Sequence, residues 1–379
     1  MRQGNFVRIP ERPADVRALW EQAALLEPAN LPEWLTPEDA DDYRYVGAAS
    51  GKGLAAQERE RYFAELRELE GTGLIIDPDP IDPKPDCHRV FVSLPRKEAV
   101  WSIGIYRGES PFELQPAEGA RNPVLTGEDV SDVTATFVAD PFMLSVGGLW
   151  YMFFEVMNWR SGKGEIGLAT SRDALSWKYQ QVVLAEEYHL SYPYVFEWQG
   201  EYYLVPESFQ AGAVRLYQAR HFPTEWEFVG TLLEGPYFAD ASLVRHGRWW
   251  MFVESSPEQM HDTLRLFHAD RLQGPWIEHA RRPVIAKRPH DVRPAGRILV
   301  LKDRIVRFAQ NCDPDYGIDV RAFELTELSA TAYRERRVGK VPLLGPTGGG
   351  WNAGGMHHVD VHRLGDRDWL ACVDGWTEN

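Results

Sequence analysis

The sequence predicts an all-β protein: a five-bladed β-propeller with N-terminal strand closure of the last blade, preceded by a small helical segment. Three observations predict it. A two-stranded hairpin recurs at a spacing of roughly 50 residues, a blade-sized period. Most of these hairpins are followed by a third strand, and several of those lead through a tryptophan into a fourth. The third strand missing after the last hairpin is found instead near Trp101, upstream of the first.

The clearest hairpin is Asp140–Glu155. Phe142–Val146 is an apolar strand, Gly147-Gly148 a two-residue turn and Leu149–Phe154 an aromatic strand. A Gly-Gly pair suits a tight hairpin because both central residues can take positive φ. Antiparallel pairing then sets Asp140 and Glu155 on the same rim. The second hairpin is Tyr192–Glu207, turning at Gln199-Gly200, and the third is Asp240–Glu254, turning at His246-Gly247. The fourth is Pro294–Gln310, turning at Lys302-Asp303, and the fifth is His358–Asp374, turning near Gly365-Asp366. Third strands follow at Glu165–Ala169, Val214–Tyr217, Leu264–Phe267 and Ile318–Arg321, and Trp177, Trp226 and Trp276 come after the first three. The fifth hairpin has no such sequel. Trp101–Tyr106, Phe112–Leu114 and Asn122–Leu125 supply it from the other end, which removes the open edge of a chain of repeated sheets. A two-sheet sandwich would leave the period unexplained.

Residues 1–95 form a helical N-terminal extension and connector, and residues 96–379 form the propeller. Val16, Leu19, Trp20, Ala23 and Leu26 recur at helical spacing in Ala14–Leu26. Thr36-Pro37-Glu38-Asp39 resembles a helix start, and Gln57–Leu69 carries Tyr62, Phe63, Leu66 and Leu69 on one stripe. Asp77–Pro85 alternates prolines, which deny it helix and ladder pairing and make it a stiff connector. No residue of Met1–Lys84 is expected to act in catalysis.

A formal net charge of −15 disfavours nucleic acid and anionic membranes as partners. No apolar run reaches membrane-spanning length, and the N-terminus has no apolar segment of signal-peptide type, so cytoplasmic residence is expected. Cys87, Cys312 and Cys372 are scattered, against a disulfide framework and against a CxxC metal site. The 14 tryptophans serve a propeller core, and a few exposed ones would stack on sugar faces.

The rim carries the chemistry. Inner strands begin at Asp140, Tyr192, Asp240, Arg293 and the His357-His358 pair; hairpins end at Glu155, Glu207, Glu254, Gln310 and Asp374. A blade needs none of these side chains to pack, although rim positions are wet and acids there also cap turns. Paired carboxylates can act as acid and as base or nucleophile when their surroundings separate their pKa values. Asp140 is the expected base or nucleophile, Glu207 the first choice for the acid, Glu254 the second, and Asp240 completes the expected catalytic set. Glu155, His189, Tyr192, Arg293, His357, His358 and Asp360 are expected sugar contacts. Arg293 could clamp a carboxylate or phosphate, or form an inter-blade salt bridge. His358, Asp360 and His362 share one strand face. No cofactor is required; a divalent cation near His357 and His358 is the alternative left open.

The opening Ala-Asp-Pro-Phe of the first blade and its closing Trp150–Glu155 resemble the five-bladed superfamily of arabinanases, xylosidases, invertases and levansucrases. A closer resemblance runs from Trp101 to Trp376 through WSIGIYRGESPFEL, NPVLTGEDVSDVTATFVADPFM, HLSYPYVFE, VPES, RPAGR, GMHHVDVH and ACVDGW. These segments are similar to the propeller at the N-terminus of plant glucosamine inositolphosphorylceramide transferases and its bacterial relatives. The plant proteins carry a separate glycosyltransferase domain, so the resemblance does not imply transferase activity here. In the glycosidases the Asp of the first inner strand is base or nucleophile, and Asp140 matches it. Their second blade opens with Asp, where this chain has Tyr192. Their third opens with a Glu acid, where it has Asp240. The resemblance implies a carbohydrate-active propeller, a glycoside hydrolase or transglycosidase, or a non-catalytic module binding a glycan or glycoconjugate.

Overall fold

The computed structural model describes residues 43–50, 74–78, 87–93, 99–256, 261–302, 304–339 and 341–378. The chain divides into two compact units, Met1–Glu98 and Ala99–Asn379. In the first unit, β1 (Tyr43–Ser50), β2 (Leu74–Pro78) and β3 (Cys87–Ser93) form an antiparallel sheet in the order β1-β3-β2. The helices expected at Ala14–Leu26, Thr36–Asp39 and Gln57–Leu69 lie outside the described residues. The expected connector gives up its first two residues: Asp77 and Pro78 pair with Arg89 and His88 as the end of β2. β2 is an edge strand, where a proline can sit without breaking a central ladder.

The second unit is the propeller. It begins with β4 (Ala99–Ser110) and β5 (Glu113–Pro116). Blade I is β6 (Ala135–Val146), β7 (Leu149–Asn158), β8 (Lys163–Ser171) and β9 (Lys178–Leu184). Blade II is β10 (Ser191–Trp198), β11 (Glu201–Glu207), β12 (Ala213–His221) and β13 (Glu225–Glu234). Blade III is β14 (Ala239–His246), β15 (Arg248–Glu254), β16 (Leu264–Ala269) and β17 (Ile277–Glu278). Blade IV is β18 (Leu299–Leu301), β19 (Arg304–Asn311), β20 (Asp319–Leu328) and β21 (Tyr333–Val338). Blade V joins the two ends of the unit: β22 (Val359–Gly365) and β23 (Asp368–Glu378) continue into β4 and β5. The closure is antiparallel and long, from Trp369 opposite Gly108 to Glu378 opposite Ala99.

Local chemistry explains the hairpins. Gly147 and Gly148 have φ of 61° and 81°, and Gln199 and Gly200 have 56° and 82°, so both turns take the left-handed form that matches strand twist. The recurring tryptophans anchor the route to each fourth strand. The indole N–H of Trp177, Trp226 and Trp276 donates to the carbonyl of Ala174, Pro223 and Leu272 at 3.1, 2.9 and 3.0 Å. Packing between blades is aromatic: Phe142 of blade I meets Tyr192 of blade II edge-on, with ring centroids 4.9 Å apart. Both are fully buried, and each such side chain contributes about 1.5–3 kcal/mol by leaving water.

Candidate functional site

The inner strands of blades I to III begin with the same distortion. Their registers break between Ala139 and Phe142, Ser191 and Tyr194, and Ala239 and Ser242. Within each break one residue is left-handed: Asp140 (φ 53°), Tyr192 (φ 43°) and Asp240 (φ 53°). A bulge of this kind re-aims a side chain. Aspartate tolerates the left-handed region, whereas for tyrosine it stores strain of order 1 kcal/mol. Opposite each bulge stands an acid, since Ala139 pairs with Glu155, Ser191 with Glu207 and Ala239 with Glu254.

Carboxylates link the blades to one another. The Asp140 N–H donates to Asp374 Oδ2 at 3.0 Å, and the Tyr192 N–H donates to Asp140 Oδ2 at 3.2 Å. Asp374 also accepts the backbone N–H groups of His357 and His358 at 3.2 and 2.9 Å and lies 2.8 Å from His357 Nδ1. Burial opposes charge on both members of that pair, but each holds the other ionised: His357 is raised and Asp374 lowered.

A cavity of about 300 Å³ opens here. Its acids are Asp140, Glu155 and Glu207; Arg293, His189, His261 and His357 face it, and Trp101, Phe137, Phe209, Tyr237 and Tyr316 supply aromatic walls. Larger hollows of about 550 and 750 Å³ lie elsewhere, along 127–135 and between blades IV and V, and neither gathers buried carboxyls.

The three acids are shifted upward. Burial raises Asp140 to about 7, with His357 opposing and Asp240 and Asp374 reinforcing. Burial, then Asp240, raises Glu207 to about 8 against the pull of Arg293. Burial pushes Glu155 well above the ordinary range, and Asp140, Glu207, Asp240 and Asp374 add to it. His189 is lowered to about 4 by burial and then by Arg293. Its Nδ1 accepts the Gly164 N–H at 2.9 Å, so the neutral ring carries its proton on Nε2, which faces Glu155 Oε1 at 3.4 Å. Gly164 is required there, because a Cβ would stand 2.3 Å from the Leu190 carbonyl and 2.8 Å from Glu155 Oε1.

The cavity thus brings together Asp140, Glu155, Glu207, His189, Arg293 and His357 among the expected site residues. Five others lie behind its wall, a correction to the sequence reading. Asp240 is an ion-pair partner: it accepts Arg293 Nε at 2.6 Å and Gln310 Nε2 at 2.8 Å. Glu254 is fully buried, 3.6 Å from His261 Nδ1. Tyr192 turns its ring inward, where its hydroxyl accepts the Gly296 N–H at 2.6 Å and meets Ser242 Oγ at 2.8 Å. His358 is enclosed by the rings of Phe142 and Tyr192 at 4.5 and 5.3 Å, and burial lowers it to about 4. Asp360 is clamped by Arg297 Nε at 2.7 Å, the Met143 N–H at 2.6 Å and His362 Nε2 at 2.9 Å.

The sequence reading missed Trp101, Tyr237, His261 and Tyr316 as wall residues, and it gave Asp374 no role. One signal was available. Phe137, His189 and Tyr237 stand at the same offset before Asp140, Tyr192 and Asp240, and all three line the cavity. For a cation, Asp140, His357 and Asp374 offer ligand atoms within 4.8 Å of one another. Hydrogen bonds already engage both oxygens of Asp374, so this set fits a cation poorly.

Residues 94–376 match the family described as glucosamine inositolphosphorylceramide transferase 1, N-terminal. The chain is 32% identical over 308 residues to glucosamine inositolphosphorylceramide transferase 1 of Oryza sativa subsp. japonica, covering 76% of this chain and 41% of that protein. It is 32% identical over 299 residues to the Arabidopsis thaliana protein of the same name, covering 73% and 39%. The chain therefore spans about two fifths of the length of the curated relatives it matches. Among solved structures it is similar to a Cellvibrio cellulosa α-L-arabinanase complexed with arabinohexaose (18% identity, TM-score 0.46, 64% of this chain and 90% of that one).

Proposed function

The chain belongs to the family of glucosamine inositolphosphorylceramide transferase 1 N-terminal regions, and on that premise we propose that its axial cavity binds a sugar and acts on a glycosidic bond, as a glycoside hydrolase or transglycosidase. The observation that carries this reading is a pair of buried carboxyls in one cavity, Asp140 at about 7 and Glu207 at about 8. Near neutral pH the first is partly ionised and the second holds its proton, which is the division of labour that acid–base cleavage of a glycoside needs. Asp140 acts as base or nucleophile at the anomeric centre, and Glu207 protonates the leaving oxygen. Tyr316, an exposed ring in the cavity wall, offers apolar surface to a pyranoside. Arg293 is held well above its ordinary range by Asp240 despite burial, and it pulls on both Asp140 and Glu207. The relatives' named activity belongs to proteins of which this chain matches only part. It supports a sugar or glycolipid headgroup as ligand, and no more.

The test is turnover of a broad glycoside panel by the intact protein and by Asp140→Asn. The substitution keeps the shape and removes the charge. Turnover should fall at least about a thousandfold, in keeping with loss of a catalytic carboxylate, while folding and most sugar binding persist. Unchanged turnover would remove Asp140 from the mechanism. A second reading, a non-catalytic glycan-binding module, is favoured by Tyr192: the second blade offers a tied-down phenol where the propeller glycosidases carry an acid. Binding without cleavage across the panel would establish that reading instead.

A further inference from the structure

Phe209, His261 and Tyr316 lie on the connections that follow the second strands of blades II, III and IV, and all three line the cavity. Trp159 lies on the corresponding connection of blade I, between β7 and β8. Unlike those three it does not line the cavity. It is 70% exposed, and no other tryptophan among the described residues is exposed.

A single exposed apolar side chain is ordinary on a protein surface. Two features set this one apart. The first is that its turn is fixed. The buried Asn158 side chain accepts the Arg160 N–H at 3.0 Å and donates to Glu165 Oε1 at 2.9 Å. The Asn158 carbonyl accepts the Gly162 N–H, and the Thr134 carbonyl accepts the Trp159 N–H, each at 2.9 Å. Gly162 closes the turn with a φ of 64°. A turn held in this way has little backbone freedom left to lose when a ligand covers its indole.

The second feature is position. Phe137 and Met157, paired across β6 and β7, line the cavity. The next pair along the same ladder, Ala135 and Asn158, lines the hollow of about 550 Å³. The two spaces thus adjoin along one hairpin, and Trp159 is the next residue of the chain. Glu128, Ser131, Thr134 and Arg160 also line the hollow, and their polar groups are of the kinds that pair with sugar hydroxyls. The cavity itself, at about 300 Å³, is at the small end of the roughly 300–1,000 Å³ usual for small-ligand pockets. A glycan of several units has to leave it over the rim.

We infer that a second sugar site lies outside the cavity on blade I: the ligand is an oligosaccharide, and a pyranose unit beyond the one in the cavity stacks its C–H face on the Trp159 indole. The inference rests on reading the cavity as a sugar site. To that reading it adds a ligand of at least two units and a direction, from the axis outward over the β7–β8 turn. Stacking uses the apolar face that pyranosides share, so this site selects for length more than for the identity of the sugar.

Calorimetric titration of the whole chain with gluco-, manno-, galacto- and xylo-oligosaccharides of one to four units tests this. In at least one series, affinity should rise about tenfold or more from monosaccharide to trisaccharide. Trp159→Ala should bring that trisaccharide to within about twofold of the monosaccharide and leave the monosaccharide unchanged. Trp159→Tyr, which keeps an aromatic face, should restore most of the gain. Equal affinity along every series that binds, or a gain with length that survives Trp159→Ala, would overturn the inference while leaving the sugar reading standing. Loss of the monosaccharide in a folded Trp159→Ala variant would also overturn it, because Trp159 would then serve the cavity itself. Failure of every sugar to bind would remove the sugar reading, and the inference with it.

Discussion

Asp140 shows how much of this site depends on the placing of single atoms. Its N–H is fixed by Asp374, one oxygen by the Tyr192 N–H, and the other faces two histidines. Its raised pKa sets the expected pH dependence. Activity should rise through about 7 as Asp140 ionises and fall above about 8 as Glu207 loses its proton, giving a narrow bell in kcat/KM. A flat profile across that range would exclude the pair. The same shift has a stability consequence of opposite sense to that of an ordinary paired acid. The folded value of about 7 lies above the ordinary 3.8, so the unfolded chain ionises first. Stability should therefore decline as pH rises from about 4 to 7 and level off above. Urea denaturation of Asp140→Asn should lose that part of the slope. Asp374, lowered by its pairing with His357 against burial, acts the other way, and its contribution is lost as pH falls. Sequence made Asp140, Glu155, Glu207, His189, Arg293 and His357 legible, because alternation along a hairpin says which residues reach the rim. It did not tell Asp240, Glu254 and His358 from them. Depth below the rim depends on what each neighbouring blade contributes, and Arg293 and the Phe142 ring are far away in sequence.

The hairpin is the element that the sequence discloses best, because strand alternation and two-residue turns are local. The bulge at the head of each inner strand is not local. It is held by bonds from one blade to the next, such as the Tyr192 N–H to Asp140, and no pattern within a single hairpin encodes them. Tyr192 illustrates the result. Placed at the rim by sequence, it is instead a strut whose hydroxyl joins blades II, III and IV through Ser242 and Gly296. Tyr192→Phe should leave the Gly296 N–H unsatisfied and cost about 1–3 kcal/mol, seen as a lowered urea midpoint at constant m-value. Sugar affinity should stay within about twofold of the unaltered protein, since a tenfold change would need 1.4 kcal/mol at the ligand itself. A large affinity loss with little change in stability would return Tyr192 to the ligand.

For the whole molecule, the division into Met1–Glu98 and Ala99–Asn379 carries its own expectation. Every described residue lining the cavity comes from Trp101 onward. Removing residues 1–98 should therefore cost solubility or stability and leave sugar affinity unchanged, as measured by the same titrations on a truncation first shown to melt cooperatively. Loss of binding in that folded truncation would make the first unit part of the site. The closure of blade V was foreseeable from a missing third strand and a spare one upstream. It has a further consequence, for biosynthesis. Trp101, on β4, stacks against His357, just ahead of β22, with ring centroids 4.0 Å apart. The first strand of the propeller to be translated thus meets the segment leading into its last hairpin in one wall of the cavity. Blades I to IV can form on the ribosome, but β4, paired with β5 on one side, must wait with its other edge open until β23 emerges. A nascent chain stalled before Trp369 holds four blades and one open β4 edge for chaperones to cover.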